Sequence, residues 1–206
     1  MEAGGRHPAV RKIEAADVQR VAGVLARAFH ADPPSAWFFP NLATRSAKLE
    51  RSFALMLRRL YLRHGECYVT VDLHGAAAWL PPTRRGMGRL EVLHMVPGLV
   101  RLFGRRLPRV MGGFNLMEGA HPSEPHYYLP VMGVDPRHQG EGIGKALMAP
   151  ILRRCDEEHT PAYLEATTPR NRAFYERLGF ELVRERRFPH GGPPLWGMVR
   201  WPVETS

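Results

Sequence analysis

Three glycines in alternate positions, Gly140, Gly142 and Gly144, constrain this chain more than any other feature of it. They follow an apolar run, Val131-Met132-Gly133-Val134, and a turn, Asp135-Pro136-Arg137-His138. They open a stretch whose apolar stripe is Ile143, Leu147, Ile151 and Cys155, at helical spacing. The order is therefore strand, turn, glycine loop, helix. The first N–H groups of a helix have no partner within it, and the helix dipole adds partial positive charge there. Glycine lets such a backbone approach phosphate oxygens and adopt dihedrals closed to other residues. With Gln139 and Lys145 as side-chain donors, the segment suits a bound polyanion.

Spacing narrows the choice of polyanion. A P-loop needs a hydroxyl after its lysine, and Ala146 follows Lys145. A dinucleotide site wants an acid about 20 residues beyond its glycines, and the glycines directly after the strand. Glu165 meets the first condition, but the turn at 135–138 breaks the second.

A third pattern fits the whole stretch. Gly133-Val134-Asp135-Pro136, Gln139-Gly140-x-Gly142-Ile143-Gly144-x-Ala146-Leu147 and Asn171-x-x-x-Tyr175-x-x-x-Gly179-Phe180 together resemble the GNAT superfamily of acyl-CoA-dependent N-acetyltransferases. Pro161-Ala162-x-Leu164-Glu165 and Pro169-Arg170-Asn171 resemble the branch of it that acetylates puromycin. The resemblance implies an α/β (α+β) fold in a single domain over 1–206. Its sheet would be mixed, mainly antiparallel, of about seven strands, flanked by helices and splayed between the fourth and fifth. It implies acetyl-CoA held by Met132, Gly133, Val134, Gln139, Gly140, Glu141, Gly142, Ile143, Gly144, Lys145, Asn171 and Tyr175. The acetyl group would pass by direct attack, in a ternary complex, to a primary amine of a small molecule such as an antibiotic or other xenobiotic. A protein or peptide acceptor, and a non-catalytic acyl-CoA-binding domain, are the rival readings.

Such a transfer needs a neutral amine, a stabilised oxyanion and a protonated leaving thiolate. Tyr175 is placed by the resemblance as the acid for that thiolate. Asn171 lies one helical turn earlier on the same face, where the family bonds the pantetheine arm. Some family members carry a glutamate on the fourth strand, and this chain has Tyr127-Tyr128-Leu129-Pro130-Val131 there. Glu165 on the fifth strand is the first choice for a base, because a carboxylate in a buried strand needs a reason. His121 and His126 are alternatives, and a water chain with no single base is another. Trp37, Phe38, His126 and Tyr128 are candidates for the acceptor site.

In chain order, residues 1–8 read as a disordered tail and 10–14 as a first strand. Asp17 is expected to cap a helix to about residue 30, which Asp32-Pro33-Pro34 ends. Residues 35–40 read as an aromatic loop, 44–63 as a long helix, and 66–71 and 76–80 as a hairpin. Residues 83–125 form the substrate-side insert, with a helix at 90–103 broken at Pro97-Gly98 and another at 110–118. Pro130, within the strand at 126–134, should sit at a bulge or an unpaired edge. A helix at 142–158 containing Pro150, a strand at 161–167, a helix from Pro169 and two strands complete the chain.

The net charge of +9 invites a nucleic-acid reading, but the arginines are dispersed and no zinc-finger or RNA-recognition pattern accompanies them. No nucleic acid, membrane or metal is expected. Cys67 and Cys155 make neither a disulfide framework nor a zinc site, and a reducing cytoplasm is the expected compartment. A monomer or homodimer is expected.

Overall fold

The computed structural model describes residues 8–83 and 89–203. Residues 1–7 of the expected tail lie outside the described residues. Seven strands form one sheet: β1 (Val10–Lys12), β2 (Cys67–Thr70), β3 (Gly75–Leu80), β4 (Tyr127–Val134), β5 (Ala162–Ala166), β6 (Glu181–Arg187) and β7 (Pro194–Arg200). Their spatial order is β1-β2-β3-β4-β5-β7-β6. Only β4 and β5 run parallel; every other neighbouring pair is antiparallel. The helices are α1 (Val18–Ala28), α2 (Pro33–Phe38), α3 (Leu42–Met56), α4 (Arg89–Phe103), α5 (Leu107–Glu118), α6 (Ile143–Glu157) and α7 (Pro169–Glu176). Val21 and Leu25 of α1 share one core with Val69, Ala76, Ala78 and Val131. On the opposite face, Ile143, Leu147 and Ile151 of α6 share another with Ala77, Trp79, Leu129 and Leu164.

The fourth strand does what its proline requires. Pairing with β5 covers Tyr127↔Ala162, Tyr128↔Tyr163 and Leu129↔Leu164, and stops there. Beyond that point β4 stays paired with β3 through Val131, Met132, Gly133 and Val134, while β5 continues on β7. A register shift between β3 and β4 puts one extra β4 residue between the Val131 and Tyr128 pairs. Pro130 thus lies both in a bulge and at the parting of two strands, where its missing N–H breaks no ladder bond. The bulge also reverses the alternation of side chains. Tyr127 and Leu129 face the α6 core, yet Val131, two residues on, faces the α1 core. Gly133 then lies under α1, where an added Cβ would stand 2.8 Å from the Ala28 Cβ.

Three local expectations are corrected. Asp17 makes no side-chain cap to α1; its carboxylate accepts from the Arg11 guanidinium (2.5 and 2.9 Å) and the Glu14 N–H (3.0 Å). Asp32-Pro33-Pro34 starts a helix as well as ending one. Asp32 caps α2 through the Ser35 N–H, with the prolines at positions whose N–H groups have no helical partner. Residues 35–38 are therefore helical and not loop. The buried Arg45 ties α2 down, donating to the carbonyls of Phe39 (2.7 Å), His30 (3.1 Å) and Pro40 (3.4 Å). Finally, α4 runs through Pro97 without breaking. Its buried Met95, Leu99, Leu102 and Phe103 outweigh the one lost backbone bond, and Gly98 abuts Leu55 so closely that a Cβ would meet it at 2.8 Å.

Candidate active site

The parting of β4 and β5 opens a cleft of about 580 Å³. Its floor is Met132, Gly133 and Val134, and its rim is the loop and first turn of α6, from Gln139 to Lys145. Asn171, Phe174 and Tyr175 of α7 form the far wall. Gly140 and Gly142 take φ of +92° and +78°, and a Cβ on either would meet nothing within 4 Å. Backbone conformation, not crowding, fixes glycine at these two positions. No side chain caps α6, so its leading N–H groups remain available as donors. This donor set fits a pyrophosphate. Every residue of the cofactor set expected from the sequence lines the cleft except Glu141, whose carboxylate meets the ring of His138 (3.2 Å), a lining residue.

A second cavity of about 140 Å³ adjoins the first. Phe29, Asp32, Met132, Asn171 and Tyr175 line both. The rest of its wall is mostly apolar, including Phe38, Phe53, Phe103, Phe114, Met117 and Phe188. Two carboxylates, Asp32 and Glu165, also line it, and no lysine or arginine does. Glu165 is the first β5 residue past the last β4 rung. Tyr128 Oη donates to its Oε2 at 2.9 Å. Its Oε1 is buried with no hydrogen-bond partner among the described residues; His121 Nε2 lies 3.8 Å from it. Burial pushes the Glu165 carboxyl up to about 8, against the opposing Tyr128 hydrogen bond. Burial, with His126 beside it, lowers His121 to about 4. The neutral ring and the neutral acid are thus the favoured partners near pH 7.

Asp32 was invisible as a site residue in the sequence, although an acid directly before Pro-Pro is an N-cap signature. Its carboxylate caps α2 and accepts from Thr167 Oγ1 (2.5 Å). Asn171 Nδ2 in turn donates to Thr167 Oγ1 (3.3 Å), so one chain of bonds joins α7, the residue after β5 and the cap of α2. Burial raises the Asp32 carboxyl above its ordinary range. Tyr175 is 7% exposed, and burial, then the Asp32 charge, raises its phenol. It therefore keeps its proton. Trp37 and His126 line neither cavity. Trp37 packs behind Phe38 and Phe188 under the Arg109 guanidinium. His126 approaches His121 Nδ1 at 3.2 Å, and Tyr128, which also lines neither cavity, reaches the site through its hydrogen bond to Glu165.

Residues 93–180 match the family model described as acetyltransferase (GNAT) family. An uncharacterized N-acetyltransferase of Schizosaccharomyces pombe is 27% identical over 213 residues, covering 96% of this chain and 85% of the relative. Among solved structures, the histone acetyltransferase HPA2 and related acetyltransferase of Corynebacterium glutamicum superposes with a TM-score of 0.73 at 28% identity, over 97% of this chain and 99% of that one. A Drosophila melanogaster polyamine N-acetyltransferase superposes at 0.62 and 18% identity, over 93% and 98%; that likeness is one of fold. No helix among the described residues is long and apolar enough to cross a membrane. With the splayed sheet and the glycine loop at the head of α6, these matches show that residues 93–180 belong to a GNAT acetyltransferase family domain and that the chain is an acyltransferase.

Proposed function

We propose that this chain transfers the acetyl group of acetyl-CoA to the primary amine of a small, largely apolar molecule, by direct attack in a ternary complex. One observation carries the reading: two cavities of opposite character meet at a single phenol, Tyr175. The larger has the backbone donors of an anion site; the smaller has aromatic walls and two carboxylates but no cationic side chain. Met132, Gly133 and Val134 would hold the pantetheine arm, the amides from Gln139 to Lys145 the pyrophosphate, and Asn171 the arm's far side. Bound acetyl-CoA supplies an activated acyl group as its thioester.

The chain's own residues supply the rest. An ammonium entering the apolar pocket is drawn to Asp32 and Glu165, and its charge favours the ionised form of each. Glu165 Oε1, which has no donor, takes the proton and leaves a neutral amine. Tyr175 holds at Oη the proton that a leaving thiolate requires. The buried, unbridged Cys67 and Cys155 support a reducing cytoplasm as the compartment.

The test is thiol release from acetyl-CoA against puromycin, agmatine, phenylalkylamines and a lysine peptide. Turnover on a small amine supports the reading, and an apolar body should be preferred over a polar one. Turnover on the peptide alone would replace it with a protein acceptor. Binding of CoA without turnover on any acceptor would replace it with a non-catalytic domain.

A further inference from the structure

We propose that His74, His138 and Glu141 form a binding site for one divalent transition-metal ion of the zinc class. His74 stands on the connection between β2 and β3, His138 in the turn after β4, and Glu141 between two glycines of the loop before α6. Their ligand atoms all lie within 4.8 Å of one another. His138 Nδ1 and Glu141 Oε1 are 3.2 Å apart. The two imidazoles face each other with centroids 3.5 Å apart and planes 4° from parallel.

Tetrahedral zinc, with bonds of about 2.0–2.2 Å, sets neighbouring ligand atoms about 3.3 Å apart. One edge of the triangle already has that length; imidazole lone pairs lie in the ring planes, which here run parallel, so rotation of a half-buried His ring about its side-chain torsions brings the donors to a common point. Two imidazoles and one carboxylate are a donor set for zinc and its neighbours, whereas magnesium and calcium take oxygen ligands. Three protein ligands leave a fourth position for water, the arrangement of an exchangeable ion and not of a closed structural one.

Two further features separate this cluster from an ordinary solvated patch. The segments that carry it are fixed to each other independently of the three side chains. The Asp135 N–H donates to the His74 carbonyl at 2.8 Å, and the His74 N–H to Thr70 Oγ1 at 2.9 Å. The Asp135 carboxylate is itself clamped by Arg27 Nε (2.8 Å) and by Arg137 (3.0 and 3.1 Å). The backbone that carries the ligands is thus set before binding, which leaves only side-chain rotation to be fixed by the ion. The second feature is Glu141 itself, a carboxylate within a loop shaped for anions. It is the one residue from Gln139 to Lys145 that does not line the cleft, and it meets His138 instead. A cation held there, at the edge of the cleft that His138 lines, would cancel the only negative charge from Gln139 to Lys145. The distance in sequence between His74 and His138 explains why no metal-ligand spacing announced the site.

The experiment is titration of tag-free protein with Zn²⁺ by calorimetry, and with Co²⁺ followed by visible absorption. One ion per chain is expected, with the intense d–d bands of a low-coordinate site. Affinity should fall about tenfold or more in His74→Ala, His138→Ala and Glu141→Gln. His74→Ala decides the matter, because His74 lies outside both cavities and its loss leaves the anion loop intact. Circular dichroism melting establishes that each variant is folded. Saturable binding that all three variants retain, or none in the folded wild type, would overturn the proposal.

Discussion

The two cavities that meet at Tyr175 are built in different ways. The larger has as its floor and rim one continuous stretch, a strand, a turn, a glycine loop and a helix start, with α7 and the end of α1 as its walls. The smaller is made of side chains from α2, α3, α4, α5, β4, β5, α7 and β7, from the residues just after α1 and from the link between β6 and β7. A site of backbone donors keeps its chemistry while most of its side chains change. A site of converging side chains changes with any one of them. The difference teaches that recognition of the donor and choice of the acceptor are separable in this molecule.

Four substitutions would sharpen or break that division. The largest effect is expected from Tyr175→Phe, on the boundary: kcat should fall about 10²–10⁴-fold, with CoA affinity by calorimetry unchanged. A loss of CoA binding instead would make the phenol part of the donor site alone. Glu165→Gln should lower kcat about a hundredfold. In the wild type kcat/KM should climb as pH rises through about 8, as the carboxyl ionises, and the variant should lose that limb. The same group has a signature in stability. With its folded value raised above the ordinary carboxylate value, the folded state binds the extra proton between the two. Wild-type Tm should therefore fall as pH rises across that window, and the Glu165→Gln curve should be flatter.

On the donor side alone, Gly142→Ala forces a side chain onto a left-handed backbone, at a cost of about 1–2 kcal/mol. CoA should bind about tenfold more weakly, with kcat at saturation little changed. On the acceptor side alone, Phe114→Leu should shift the acceptor KM by a factor of a few and leave the KM for acetyl-CoA where it was. A matching change in both would join the two sites that the geometry separates.

The same contrast explains what the sequence made legible. Gly140 and Gly142 declare their backbone, and Pro130 declares that the fourth strand must bulge or part, because each signal is local. The reversal of alternation after Pro130, which turns Val131 and Gly133 towards α1, depends on where β3 lies and leaves no trace in the residues themselves. In the smaller pocket the sequence pointed to Phe38 and Glu165 and, through the cofactor motifs, to Met132, Asn171 and Tyr175. Phe103, Phe114 and Met117 lie in the insert where apolar periodicity gives helices but not their docking. Phe188 comes from a separate connection altogether. Asp32 was hidden by reading Pro33-Pro34 as a stop, and Pro97 was read as a break, for one reason: a proline's effect depends on what the neighbouring backbone and core can absorb.

Three paired residues on each side make the whole β4–β5 ladder. The sheet is therefore two half-sheets, of four and three strands, sharing a short seam. Such a seam is where local opening is least costly, and amide hydrogen exchange should run faster at 131–134 than along β2. A ligand that lays amides of its own against β4 would act there as a missing strand. Its binding would be recorded as slowed exchange at the seam, far beyond any change in α3.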